Sequence, residues 1–283
     1  QMSDRFLAAW STVIAVVLLA PLPAVAQAPT TAADAWMLPR TPDGQPNLQG
    51  VWDYRTITPL ERPSELAGKA VLTEEEAAEF EQETLQRRDH DSPLREGSTG
   101  TYNQFWWDYG TKLTEDYRTS LIVDPPDGRI PPLTPEGQQR ADARNASRGR
   151  PAAGPEDRSL WERCLTRSLP RLPGAYNNNL QIFQAADHVV ILNEMIHEAR
   201  VIPLRGQPYL DQNIRQWQGD SRGHWDGDTL VVDTRNFTDK TNFRGSTDNL
   251  HLVERFTRVD ADTLRYEAKI EDATTFTTPW TVV

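Results

Sequence analysis

The chain has almost no cysteine: Cys164 is the only one among 283 residues. One thiol cannot close an intrachain disulfide, so stability must rest on the core. The short signatures of nucleophilic and phosphate chemistry are also missing. There is no GxSxG elbow, no SxxK pair and no Gly-rich phosphate loop. No HxH or HExxH spacing relates the five histidines, and Asp220, Asp226 and Asp228 lack EF-hand spacing. No metal and no cofactor are therefore expected, and a hairpin turn with capping carboxylates accounts for the three aspartates. Past residue 26 no run is long and apolar enough to span a membrane. Basic side chains are the minority, 30 Lys and Arg against 41 Asp and Glu, for a net charge of −11. That balance argues against nucleic acid and anionic membrane surfaces as partners. The sequence carries no signal of oligomeric state.

What is present begins with export. Arg5, an apolar stretch from residue 6 to 20, a Pro-containing segment and Ala24-Val25-Ala26 have the three parts of a secretory signal peptide. Cleavage is expected after Ala26, leaving Gln27 as the mature terminus and a periplasmic or secreted location. An uncleaved membrane anchor is the alternative reading of the same segment. Gln1 before Met2 reads as an extension, and the removed Asp4 and Arg5 cancel, so the mature charge is unchanged. Residues 27–46 are Ala-, Pro- and Thr-rich and read as a flexible leader. Residues 47–283 then form one domain.

The fold class is mainly β. Residues 180–184, 188–195, 199–204, 229–237, 252–259 and 264–270 are short runs rich in Val, Ile, Leu, Phe and Thr. Ala185-Ala186-Asp187, Asp226-Gly227-Asp228 and Asp260-Ala261-Asp262 are turn signals between them. Strands at this spacing predict an antiparallel meander that closes into a barrel or packs as a sandwich, with residues 48–54 as a first strand in the same sheet. A mixed helical insertion occupies about residues 56–173. Within it, Thr73-Glu74-Glu75-Glu76 is a capping box opening a helix to about Arg88, and Thr134-Pro135-Glu136 opens a second helix. Residues 120–124 and 129–133 flank Pro125-Pro126-Asp127-Gly128 and predict a short hairpin.

Alternation places charges among apolar residues. Leu264, Tyr266, Ala268 and Ile270 share one face, so one side of that strand is buried. Residues 188–195 are apolar on both faces, which predicts a cover, the helical insertion being the natural one. Glu194 shares parity with Val190 and Leu192, Arg200 with Ile202 and Leu204, and Glu254 lies between Leu252 and Phe256. A charge on a buried face must be paired or functional. Glu194, Arg200 and Glu254 therefore read either as an ion-pair network or rim, or as the polar floor of a cavity. The opposite parity of the 252–259 run turns His251 and Arg255 inward instead.

His188, His197, His224 and His251 fall at strand ends or turns, where several could gather at one mouth, while His90 lies in a charged helix end. His197 is a candidate acid or base. Arg163 beside Cys164 offers a low-pKa thiol, against the simpler reading of a buried small apolar residue. Eight of the nine tryptophans follow residue 26. Tyr102, Phe105, Trp106, Trp107 and Tyr109 are too dense in one loop for all to point inward. Tyr102, Trp106 and Trp107 therefore join the ligand-binding candidates.

Two resemblances add expectations. Leu48-Gln49-Gly50-Val51-Trp52 resembles the G-x-W signature that opens the first strand of lipocalin and related calycin barrels. There Gly50 and Trp52 would close one end and be structural; the insertion after them departs from a plain lipocalin. Nearly the whole mature chain also resembles a group of secreted bacterial proteins of unknown function. The motifs are Pro42-Asp43-Gly44, Tyr102-Asn103-Gln104-Phe105-Trp106, Asp124-Pro125-Pro126-Asp127-Gly128-Arg129, Tyr176-Asn177-Asn178-Asn179, Gly219-Asp220-Ser221-Arg222-Gly223 and Thr278-Pro279-Trp280-Thr281. That resemblance implies kinship without an activity, and a chain that continues past Thr281, with Val283 inside a strand.

Three function classes follow. The first is a binding protein for a small, partly apolar molecule in a β-barrel cavity. The second is a secreted hydrolase- or isomerase-type enzyme using acidic and histidine side chains in that cavity. The third is an envelope interaction module. An enclosed pocket separates the first two from the third, and a convergent acid/base pair within it separates the second from the first.

Overall fold

Apolar and polar side chains alternate through most of the C-terminal half, and the computed structural model resolves that alternation into two antiparallel sheets. It describes residues 36–88, 106–148, 150–240 and 243–283, and Met37–Val283 belong to one unit. Among the described residues the first sheet has four strands in the order β1 (Gly50–Asp53), β3 (Asn179–Gln184), β4 (His188–Asn193) and β5 (Ala199–Pro203). The second has six, in the order β2 (Ile122–Asp124), β10 (Trp280–Val282), β9 (Leu264–Glu271), β8 (His251–Arg258), β7 (Thr229–Arg235) and β6 (Asp220–Asp226). All pairings are antiparallel. Short turns join β3 to β4, β4 to β5, β6 to β7 and β8 to β9, which leaves no room there for the crossovers parallel pairing needs.

The fold is thus mainly β, and β1 joins the strands of residues 180–204 as expected. The continuous meander does not hold, because the ladder stops between β5 and β6 and no closed barrel forms among the described residues. Residues 204–219 between them include four glutamines and carry no strand pattern. The two sheets meet there through side chains. Gly223 on β6 lies so close that an added Cβ would sit 2.8 Å from Leu204 Cδ2 and 2.9 Å from Ile202 Cγ2. The strand β6 was hidden because Asp220-Ser221-Arg222-Gly223-His224-Trp225-Asp226 lacks apolar alternation; its ladder with β7 imposes the extended form. The hairpin expected at residues 120–133 is also corrected. Gly128 N donates to Pro125 O at 3.0 Å, closing the turn, but β2 pairs with β10 and Leu133 bridges Phe276.

Both helices start where their caps place them. In α1 (Glu74–Arg87) Thr73 and Glu76 complete the reciprocal capping box. In α2 (Pro135–Arg148) Thr134 Oγ1 accepts from Gly137 N at 3.0 Å. The helix start is clipped to the 272–277 turn by Arg140, whose Nη2 donates to Thr274 O at 2.7 Å. Residues 40–46, leader-like in composition, fold back as a turn with an Arg40–Pro46 bridge, and Arg40 pairs with Asp228 at 2.7 Å.

Three apolar cores result. Leu48, Ile182, Val189, Ile191, Ile202, Leu230, Val232 and Phe256 fill the space between the sheets. Phe237, Phe243, Phe276, Trp280 and their neighbours form a second core at the other end of the larger sheet. Ile57, Leu72, Ala77 and Leu113 hold α1. Each fully buried side chain of this size contributes about 1.5–3 kcal/mol. The helical insertion does not cover the outer face of β4, as the double-sided apolar pattern suggested. Val51, Phe183 and Val201 on that face are exposed, and α1 packs with its own cluster instead. No helix among the described residues is long and apolar enough to cross a membrane.

Candidate functional site

Strand pairing fixes which charges meet. On β5, Arg200 pairs with Ile191 of β4 and so faces the inter-sheet core. On β8, Glu254 lies between Val232 of β7 and Ala268 of β9, facing the same core from the other sheet. Both are buried, Glu254 to 1% exposure. The guanidinium grips the carboxylate with both terminal nitrogens, Nη1 to Oε2 and Nη2 to Oε1, the latter at 3.1 Å. Tyr266 on β9 donates its hydroxyl to Glu254 Oε1 at 2.9 Å, with its ring against Phe256 at 5.0 Å. Burial first, and then the Glu254 charge, push the Tyr266 phenol well above its ordinary pKa, so it stays a donor.

A second buried pair stands beside the first. Arg171, from the irregular segment before β3, pairs with Glu198 just before β5. Glu198 Oε1 also accepts from Gln218 Nε2 at 2.6 Å. Burial lowers the Arg171 guanidinium to about 10, with Arg200 and Arg167 as further repelling charges, so it remains protonated at neutral pH. The Nε atoms of Arg171 and Arg200 and the side-chain oxygen of Asn193 are buried without a hydrogen-bond partner among the described residues.

These groups border a cavity of about 920 Å³. Its wall takes Trp52, Leu180, Ile191, Phe256 and Leu264 from the two sheets, with Arg171, Asn193, Arg200, Glu254 and Tyr266 as the polar part. Trp52 is fixed by its indole N–H donating to Leu48 O at 2.9 Å and by the Arg258 guanidinium 5.4 Å over the ring. Gly50 has φ 146°, a conformation L side chains rarely adopt.

The structure sorts the residues singled out from sequence. Arg200 and Glu254 meet, so of the two parities open for the 252–259 run the one with Glu254 inward holds, and His251 and Arg255 point to the outer face. Glu194 is not in the network. It is exposed and accepts from Asn179 N at 3.2 Å and Asn179 Nδ2 at 2.9 Å. The buried parity of β4 is Val189, Ile191 and Asn193, opposite to the one that would turn Glu194 inward. His197 is exposed in the β4–β5 turn and lines no part of the cavity. Trp106 is exposed, and Trp107 stacks on Tyr109 at 5.2 Å; neither lines the cavity. Tyr102 and His90 lie outside the described residues. Cys164 is exposed, not buried.

Sequence reasoning missed Glu198, Asn193 and Arg171. Glu198 was legible in principle, since it shares parity with Arg200 and Ile202. Asn193 was hidden because β4 is apolar on both faces. Arg171 lies in a segment with no period at all.

The histidines do not gather. His188 bonds Asp187 at 2.7 Å, and His224 is exposed. His251, on the outer face of β8, is held at both ring nitrogens, Nε2 to Asp233 Oδ2 and Nδ1 to Glu271 Oε2, each 2.9 Å. Asp233 also accepts from Tyr209 at 2.7 Å and Arg235 at 3.0 Å. Among the described residues no group of His, Cys, Asp and Glu is arranged to hold a metal ion. Comparison with protein-family models, with curated proteins and with solved structures returned no match.

Proposed function

We propose that the chain is an exported binding protein that holds a small, partly apolar molecule between its two sheets. The observation that carries this reading is the cavity of about 920 Å³ with an apolar wall and a buried Arg200–Glu254–Tyr266 floor. Ligand cavities commonly occupy about 300–1,000 Å³, with mostly apolar walls and a few convergent polar groups. Arg200 Nε and the Asn193 oxygen supply one donor and one acceptor for the ligand's polar end. Leaving either buried without a partner costs about 1–3 kcal/mol, which a ligand recovers.

Binding is favoured over turnover by the state of the carboxylate. Both oxygens of Glu254 are engaged, by Arg200 and Tyr266, so neither is free to exchange a proton with a substrate. A calycin-like architecture is part of the proposal. Its support is Gly50-Val51-Trp52 opening β1, with Trp52 and Arg258 in the cavity wall. The break between β5 and β6 then makes it an open relative of the closed barrels.

The test is to purify the protein from its native host and identify by mass spectrometry what comes with it. A single small molecule with an apolar body, released on denaturation and rebound by refolded protein, is the expected result. Protein that carries nothing, and that no extract of its own compartment stabilises, contradicts it.

A further inference from the structure

A second pocket, about 340 Å³, opens among the loops before β3. Its charged lining side chains are Arg167, Arg171 and Arg244, and no Asp or Glu lies among the described residues that line it. In a chain of net charge −11, three guanidinium groups around one acid-free hollow are a local reversal of sign. Arg171 is its buried member, with a side chain only 9% exposed and its Nε unpartnered among the described residues. Two carboxylates beside the lining are already engaged: Glu198 by Arg171, by Gln218 Nε2 at 2.6 Å and by Arg167 N at 3.3 Å, and Glu162 by Ser159 N at 2.9 Å and Ser159 Oγ at 2.7 Å.

The pocket is built, not merely exposed. Arg167 is laid over the Trp161 ring at 5.4 Å, which keeps its planar donors extended. Asn178 ties the 174–178 loop shut, accepting from Gly174 N at 2.8 Å and donating to Gly174 O at 3.1 Å and Asp108 O at 2.7 Å. Three lining residues, Ser168, Asn177 and Arg244, hold positive φ angles of 66°, 58° and 51°. Backbone of this kind persists only where the surroundings impose it, and it concentrates at binding sites.

We propose that this pocket binds a compact oxyanion, the carboxylate or phosphate group of a small molecule, between Arg167, Arg171 and Arg244. Guanidinium forks match both groups with paired charge-assisted hydrogen bonds. Arg171 borders both this pocket and the inter-sheet cavity, whereas Arg167 and Arg244 line this pocket alone, so the variant test below leaves the cavity wall untouched.

The test titrates the full chain with inorganic phosphate and, separately, with succinate, against sodium chloride of equal ionic strength, by calorimetry. Saturable one-to-one binding of at least one anion is expected, phosphate alone identifying a phosphate group and succinate alone a carboxylate. Arg167→Gln with Arg244→Gln, both exposed positions, should weaken it about ten- to hundredfold. A readout that needs no variant is the amide spectrum of the wild type, in which Gly174, Asn177 and Trp161 should shift during titration. No saturable binding beyond chloride, unchanged affinity in the double variant, or shifts confined to other regions would each overturn the proposal.

Discussion

Arg200 on one sheet and Glu254 on the other form a two-pronged ion pair inside the core, at 6% and 2% side-chain exposure. It joins the two sheets by charge in their shared interior, and Tyr266 completes it. Such a pair has opposite consequences depending on how it is altered. Removing one partner strands a buried charge, whereas replacing both with apolar side chains removes the desolvation cost as well.

Glu254→Gln should therefore destabilise the protein by about 3–5 kcal/mol. Arg200→Met combined with Glu254→Met should recover most of that loss while abolishing binding of the co-purified molecule. Denaturant unfolding and rebinding measured on both variants check this. Wild-type stability in Glu254→Gln would show that the pair contributes nothing to the fold. Full ligand affinity in the double variant would remove it from the site.

A second expectation concerns pH. The Asp233 hydrogen bond, aided by Glu271 and opposed by burial, raises the His251 pKa above its ordinary value. Hydrogen bonds from His251, Arg235 and Tyr209 outweigh burial and hold Asp233 far below the usual carboxylate range, and Lys269 and His251 lower Glu271. The histidine contribution to stability is thus complete below about pH 6.5 and is lost as pH rises through the raised folded value. The carboxylate contribution is present above about pH 4 and is lost only as pH falls through the lowered values. Melting temperature should fall from slightly acid to alkaline pH in the wild type and be flatter there in His251→Gln. A His251 pKa of 6.5 or less, measured by NMR, would contradict the assignment.

How far the sequence revealed all this depended on period. Where a strand has one wet face, as in β9, alternation identified the inward side chains and Tyr266 fell on the right face; in β8 it left two parities open, and the one that turns Glu254 inward is the one that holds. Where both faces are apolar, as in β4, alternation carries no sign, so Glu194 was taken for inward and Asn193 was overlooked. The break between β5 and β6 was invisible because pairing is a property of two segments, and the segment between them differs only in lacking pattern. Arg167, Arg171 and most of the loop pocket come from residues 159–178, which carry no period, and Arg244 joins them from the segment before β8. Their juxtaposition exists only in three dimensions.

The meeting of the sheets at Gly223 gives a third expectation. Valine there would press on Ile202 and Leu204, since even a Cβ falls within 2.9 Å of both. Overpacking of this kind costs about 1–3 kcal/mol. Gly223→Val should lower the unfolding free energy by that amount, with a lower midpoint, and Gly223→Ala by less. An unchanged midpoint for the valine variant would mean that β5 and β6 are not in close contact in solution.

The central claim, that the space between the sheets is the binding site, is tested most directly by a pair of neighbouring substitutions. Leu180 and Gln181 are adjacent on β3, and successive side chains of a strand point to opposite faces. Leu180 lines the cavity, while Gln181 pairs with Val51 and Leu192 on the outer face. Leu180→Trp should fill the cavity, and Gln181→Trp should leave it open. The measurement is occupancy of the co-purified molecule by native mass spectrometry, alongside melting temperature. Loss of the molecule in Leu180→Trp, with both variants folded and occupancy retained in Gln181→Trp, is the predicted result. Equal occupancy in the two folded variants, or loss only in Gln181→Trp, would contradict the account.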